Sequence, residues 1–280
     1  MSTALFFNIM KNPLFYFRLN LLFFFIYALS SCGGASSSDI SSPNPATPPD
    51  DEITQPNSEE TRIDFTFDNG LNNNGTDGWL SGFSDYPVNP DTDYQLTSGL
   101  SQLPPPLESI SGFNLSGTNR SDDLFMFIKK RFSGFAPNTQ YQLQFEITFA
   151  SNAPAGCIGA GGAPGEAVTI KAGASIVEPL AINNGNDVYQ MNIDKGNQKN
   201  SGSNAINIGD FANSKNCEDN DFTYELKTLN NDSTPFSIFT NSDGALWILL
   251  STDSGFESTT SIYYISGTIR IKRQEIDQSE

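Results

Sequence analysis

Three cysteines, 32 acidic residues and not one histidine define the chemistry open to this chain of 280 residues. The missing imidazole removes Ser-His-Asp and Cys-His nucleophiles and histidine-bound zinc together. Carboxylate chemistry, Ser-Lys variants or a non-catalytic role are left. The cysteines divide into one and two. Cys32 closes the tetrapeptide Leu29-Ser30-Ser31-Cys32, behind an apolar run at 21–29 and the two cations Lys11 and Arg18. A charged stretch, a short apolar core and small residues before a cysteine make an export signal ending in a lipobox. The expectation is cleavage before Cys32, acylation of that residue by palmitate-type chains, and tethering to a membrane. Several chains hold firmly where a single one binds marginally. Plain secretion is a second reading. A membrane span is a third, although spanning takes about 20 apolar residues and Arg18, Asn20 and Ser30 bracket a shorter run. Gly33, where an aspartate would favour inner-membrane retention, points to the outer membrane of the cell envelope. Met10, followed by Lys11, is an alternative start to Met1.

Cys157 and Cys217 form an even pair in the exported part, where oxidising conditions favour a disulfide between them. Two buried free thiols are the alternative. Removing Lys11 and Arg18 from the 15 basic residues leaves 13 against 32 acidic ones in the mature part. Such a surface repels phosphate backbones, so nucleic acid is excluded as a partner. It suits divalent cations and neutral ligands, and it also simply keeps an exported protein dispersed.

Asp68, Asn72, Asn74 and Asp77 place side-chain oxygens along one loop, as a hard cation such as calcium requires. An Asn/Gly-rich turn is the competing reading. Trp79, Tyr86 and Tyr94 lie in or beside the same long loop. An exposed ring there would stack on a sugar while nearby amides and carboxylates bond its hydroxyls; a Trp flanked by apolar residues equally fits a core plug. Trp247, inside an apolar run, reads as core. The Gly-rich run 156–165 lacks the Lys-Ser/Thr ending of a phosphate loop and reads as close turns around Cys157. Glu166, Asp194, Asp253 and Glu257 are the acids whose pairing would suit glycoside hydrolysis; solvated loop charges are the default.

These residues need a scaffold. Residues 1–31 read as signal and 32–62 as a disordered Ser/Pro/acidic tether beginning at the lipidated cysteine, too poor in apolar residues to offset its conformational entropy. Residues 63–273 read as one domain and 274–280 as a polar tail. Within the domain, Tyr141, Leu143, Phe145, Ile147 and Phe149 alternate with polar residues, the period of a half-buried strand. Strands are expected at 63–67, 124–132, 141–149, 167–172, 188–193, 224–228, 236–240, 246–251 and 262–271. The 124–132 and 141–149 pair, with turn chemistry between them, reads as a hairpin. No helical periodicity of any length competes. Fifteen phenylalanines remain after the signal to fill a core. The expected fold is all-β, an antiparallel sandwich of jelly-roll type.

The lipobox, the tether and the stretches DGWLSGFSDYPV (77–88), FASNAPAGCIGAGGAPGEAVTIKAGAS (149–175), MNIDKGNQ (191–198) and LWILLSTDSGFESTTSIYY (246–264) resemble a family of bacterial lipoproteins to which no activity is assigned. The order of elements is also similar to jelly-roll carbohydrate-binding modules. The turn Phe135-Ala136-Pro137-Asn138-Thr139 before Tyr141 resembles their central hairpin. That second resemblance implies a structural calcium held by an acid on the last strand, but Ile265 and Ser266 stand where the acid belongs. Three functions are carried forward. The first is a surface-tethered, non-catalytic module binding glycan. The second is a histidine-independent carboxylate enzyme acting on polysaccharide, and the third a structural subunit of a surface complex.

Overall fold

The computed structural model describes residues 51–52, 60–68, 75–89 and 93–274. Cys32, Asn72, Asn74 and most of the expected tether lie outside the described residues. Among those described there are strands and one 3-10 turn, and no α-helix. The strands are β1 (Asp51–Glu52), β2 (Glu60–Thr66), β3 (Leu80–Ser84), β4 (Tyr86–Pro87), β5 (Thr97–Gln102) and β6 (Ser111–Thr118). They continue with β7 (Leu124–Ser133), β8 (Gln140–Ser151), β9 (Val168–Ser175), β10 (Ala181–Asn183), β11 (Val188–Met191) and β12 (Ala205–Asp210). The last four are β13 (Glu225–Asn230), β14 (Phe236–Phe239), β15 (Leu246–Ser254) and β16 (Thr259–Arg273).

One sheet runs β1-β7-β15-β9-β12, with β3 also on β7; the other runs β13-β8-β16-β6-β5, with β14 on β8 and β2 on β16. The two pack face to face as a sandwich. Tyr141, Leu143, Phe145, Ile147 and Phe149 are all buried, so β8 turns inward the face its alternation predicts. They meet Leu124, Met126, Ile128 and Phe132 of β7, Ile170 and Ala172 of β9, and Ile248 and Leu250 of β15 in one core.

The expected hairpin is corrected. β7 and β8 belong to opposite sheets, β7 pairing with β15 and β8 with β16, so the 133–140 turn carries the chain across the sandwich. Alternation shows which side chains share a face, but the partner strand is chosen by the whole packing. The strands β3, β5, β6 and β12 were not expected, because LSGFS, TSGLSQ and SGFNLSGT are Ser/Gly-rich and AINIGD offers only two alternating isoleucines.

β9 and β15 are buried along their whole length, and β7 nearly so. Their outer face is covered by residues 176–204, which carry β10, β11 and a loop at 192–204; β4 joins β11 to complete a small sheet. Phe125, Phe127 and Leu249 on that face pack with Ile193 and Ala205 into a second apolar cluster. Strands buried on both faces lose strict alternation, which explains the continuous runs LFMFI and LWILL. The loop lies directly on the sheet: a Cβ on Gly173 would stand 2.0 Å from the Asn204 carbonyl oxygen.

Candidate functional site

The aromatic trio read as a ligand platform does not form one, and this corrects the expected site. Trp79 is 1% exposed, its ring packed 4.9 Å from Phe65 and 6.3 Å from Phe132. Tyr94 is buried as well. Tyr86 is half-buried between Tyr94 at 5.6 Å and Tyr189 at 5.2 Å. Apolar residues flanking Trp79 made it a core plug, the competing reading of the same residues. The two described acids of the expected cation loop have separate partners: Asp68 accepts the Ser111 backbone N–H at 3.1 Å, and Asp77 takes Lys130 Nζ at 3.3 Å.

Cys157 and Cys217 are joined, with Cα atoms 5.0 Å apart. The bond ties the Gly-rich loop after β8 to the loop before β13. Backbone bonds reinforce it, from Ala155 N to Lys215 O at 2.8 Å and from Cys217 N to Ala155 O at 3.0 Å. The second loop is further ordered by Asp221, which accepts the Thr223 hydroxyl at 2.7 Å and backbone N–H at 3.0 Å. Those bonds, with Lys215 beside them, hold the Asp221 carboxyl at about 2. Between these fixed points Phe222 stands 50% exposed.

Phe222 forms one wall of an open, mainly apolar pocket of about 260 Å³, with Phe256, Phe211, Pro154, Pro164 and Asn152 around it. Gly159 lets the Phe256 ring come close, since a Cβ there would lie 2.5 Å from it. Thr260, also lining the pocket, is 3% exposed and its hydroxyl has no partner. An apolar recess with a few polar groups able to fix orientation is the usual anatomy of a small-ligand site. Phe222 escaped the sequence reading because it sits in an Asn/Asp-rich loop without strand periodicity.

A smaller polar recess of about 170 Å³ is lined by Glu166, Thr169, Lys199, Asn207 and Asp210. Glu166 spends one oxygen on the Gly156 N–H at 2.7 Å. Of the other loop acids, Asp194 caps its own loop, accepting Gly196 N at 3.1 Å and Ser203 N at 2.8 Å; these bonds lower its carboxyl. Glu257 is exposed.

Asp253 behaves differently. It is fully buried on the covered face of β15, where its Oδ2 accepts Lys171 Nζ at 2.7 Å, Lys195 Nζ at 3.0 Å and the Gln198 N–H at 2.9 Å. Lys195, brought in by the 192–204 loop, also meets Asp85 at 3.0 Å and Asp123 at 3.8 Å. Burial raises the Asp253 carboxyl, and the two lysines overcome that and hold it below its ordinary value. Burial lowers Lys171, and Asp253 does not fully restore it; Lys195 is held up because Asp253, Asp85 and Asp123 together outweigh its burial. Burial pushes Asp123 up to about 7 against the pull of Lys195, with Asp253 and Asp85 adding to the rise. A Lys within TIKAGAS and an Asp within LLSTDS, both in apolar and small-residue runs, were the sequence signal for this cluster.

No family profile and no curated protein matches the chain. It is similar in structure to the enzymatically active domain of bacteriophage CBA120 tailspike protein 4, with 14% identity and TM-score 0.29, over 70% of this chain and 19% of that one. It is similar to a carbohydrate-binding module of the β-sandwich superfamily, with 9% identity and TM-score 0.30, over 71% of this chain and 57% of that one. A Bacteroides thetaiotaomicron protein whose suggested role is sugar binding shows 8% identity and TM-score 0.28, over 72% of this chain and 90% of that one. The chain thus spans about a fifth of the tailspike domain and just over half of the module. Likenesses at this level carry no argument about activity.

Proposed function

We propose that the domain is a non-catalytic glycan-binding module, held at the cell envelope by acyl chains on Cys32. The observation that carries the reading is Phe222, a half-exposed ring on a braced loop beside an apolar pocket of about 260 Å³. A pyranose presents an apolar face to such a ring and hydroxyls to its surroundings. Asn152 lines the pocket wall, where its amide can both donate and accept hydrogen bonds. The carboxylate pair formed by Asp123 and Asp253 lies beneath the covering loop, with Asp253 0% exposed, so it offers a polysaccharide no acid and base.

The test is a glycan array probed with the full chain, with and without added calcium. Retention of a defined glycan class, reduced about tenfold by Phe222→Ala, is expected; that is about 1.4 kcal/mol of binding. An array without retained glycan, or a Phe222→Ala variant that binds like the parent, sinks the reading. The anchor is tested separately: Cys32→Ala is expected to lose acyl labelling and leave the membrane fraction.

A further inference from the structure

Two lysines converge on Asp253, and their surroundings differ. Lys171 is 0% exposed, reaches Asp253 Oδ2 at 2.7 Å, and also donates to the Lys195 and Asn200 carbonyl oxygens, at 2.8 and 3.0 Å. Lys195 stands over the Phe125 ring at 4.8 Å and is ringed by three carboxylates. Lys195 is therefore the fixed ammonium and Lys171 the one closer to its neutral amine. On the carboxylate side, the Oδ1 atoms of Asp253 and Asp123 are both buried and accept no donor from the rest of the protein. Asp123 and Asp253 share the Lys195 ammonium, at 3.8 and 3.0 Å, and burial with the neighbouring Asp253 charge pushes the Asp123 carboxyl up to about 7. Of the two carboxyls, Asp123 holds a proton more readily.

A buried ion pair contributes little net stability, because desolvating both charges offsets their attraction. In an apolar site the neutral amine and neutral acid gain ground on the charged pair, and they are the reactive forms. Here they come with the Lys195 ammonium and the Gln198 N–H on one oxygen and with Asp123 beside the same ammonium.

We propose that Lys171 and Asp253 condense into an intramolecular amide that joins β9 to β15. Lys171 passes one ammonium proton to the Asp253 carboxyl, where it comes to rest on Oδ1, and Nζ attacks Cγ. The charge that develops gathers on Oδ2, under the Lys195 ammonium and the Gln198 N–H already pointing at it. Asp123 gives its proton to the departing Oδ1, which leaves as water, and takes one back from the nitrogen. The Cγ–Nζ bond replaces the Cγ–Oδ1 bond. Ammonium and carboxylate become amide and one water, with every proton accounted for and no co-reactant consumed. Within the folded domain Lys171 Nζ is held 2.7 Å from the Asp253 carboxyl oxygen, and that proximity replaces the external activation a free acid and amine would need. The loop at 192–204 completes the site, since it delivers both Lys195 and Gln198.

The experiment is proteolytic peptide mapping by tandem mass spectrometry on the full chain. The expected result is a branched peptide carrying Lys171 and Asp253, lighter by one water than its two linear parts. It is expected to vanish in Lys171→Met and Asp253→Ala. Recovery of both residues in ordinary linear peptides from the parent chain overturns the proposal and leaves a buried ion pair. That measurement needs no variant, so it stands even where a substitution prevents folding. For the relay, Asp123→Asn with native far-UV circular dichroism is expected to remain unlinked. A fully linked Asp123→Asn chain overturns the part given to Asp123.

Discussion

Asp253 and Phe256 are three residues apart where β15 ends, yet they belong to opposite kinds of site. Asp253 lies under a loop laid flat on the sheet, with three donors on one oxygen and its charge matched by lysines. Phe256 lies just past the strand end, where the disulfide-braced loops stand apart and leave a recess open to solvent. In the first region the loop is a lid whose polar groups are spent on the protein. In the second, the Phe222 ring is left half open to solvent. An exposed ring at a braced opening is what a ligand can use, and buried groups under a lid are what the fold, or a reaction within it, uses.

That contrast can be broken by substitution, and the largest effect belongs to the closed region. Asp253→Ala leaves Lys171 and Lys195 buried without their shared partner, and breaking a buried pair costs about 3–5 kcal/mol. Chemical denaturation of the variant is expected to show a loss of that size while pocket-directed glycan retention persists wherever the chain stays folded. Trp79→Ala removes a ring that is 1% exposed; a similar loss of about 3–5 kcal/mol is expected for a fully buried aromatic. A nearly unchanged thermal midpoint in that variant would contradict the core position.

Opening the disulfide sits between the regions in size. Cys157 and Cys217 are separated by 60 residues in sequence, and closing a loop of that order contributes roughly 4 kcal/mol by chain-entropy reasoning, less any native strain. The double Cys157→Ser, Cys217→Ser variant is expected to lose up to that much, and glycan retention should fall more steeply than overall stability because the Phe222 loop loses its brace. The smallest stability effect is expected for Phe222→Ala, within about 0.5 kcal/mol as for most surface substitutions, together with the tenfold loss of retention. A large drop in its thermal midpoint would make Phe222 structural.

Much of the fold was legible because alternation is a local signal. β8 shows it most fully: each odd residue from Tyr141 to Phe149 is buried, and the polar residues between them are not. The bond between Cys157 and Cys217 followed from parity and compartment. The binding residues were less legible. Trp79 and Phe222 are both aromatics in polar loops, and composition ranks the Trp higher as a sugar ligand. Exposure reverses that order, and exposure is a property of what packs nearby. The strands β5 and β6 escaped because Ser and Gly carry no face of their own and take their conformation from neighbours, here β16 for β6 and β6 for β5.

By itself, the sequence determined the all-β character of the domain, the inward face of β8 and the exclusion of histidine chemistry. Each depends on residue identity or on spacing within a single strand, where the chain's own geometry sets the period. Tertiary structure alone decided that β7 and β8 lie in different sheets, that Trp79 is core and Phe222 is surface, and that Lys171, Lys195, Asp123 and Asp253 meet. Those outcomes join residues as far apart as Asp123 and Asp253, whose proximity no local pattern encodes; it arises when β15 pairs with β7 and β9, and the 192–204 loop then adds Lys195.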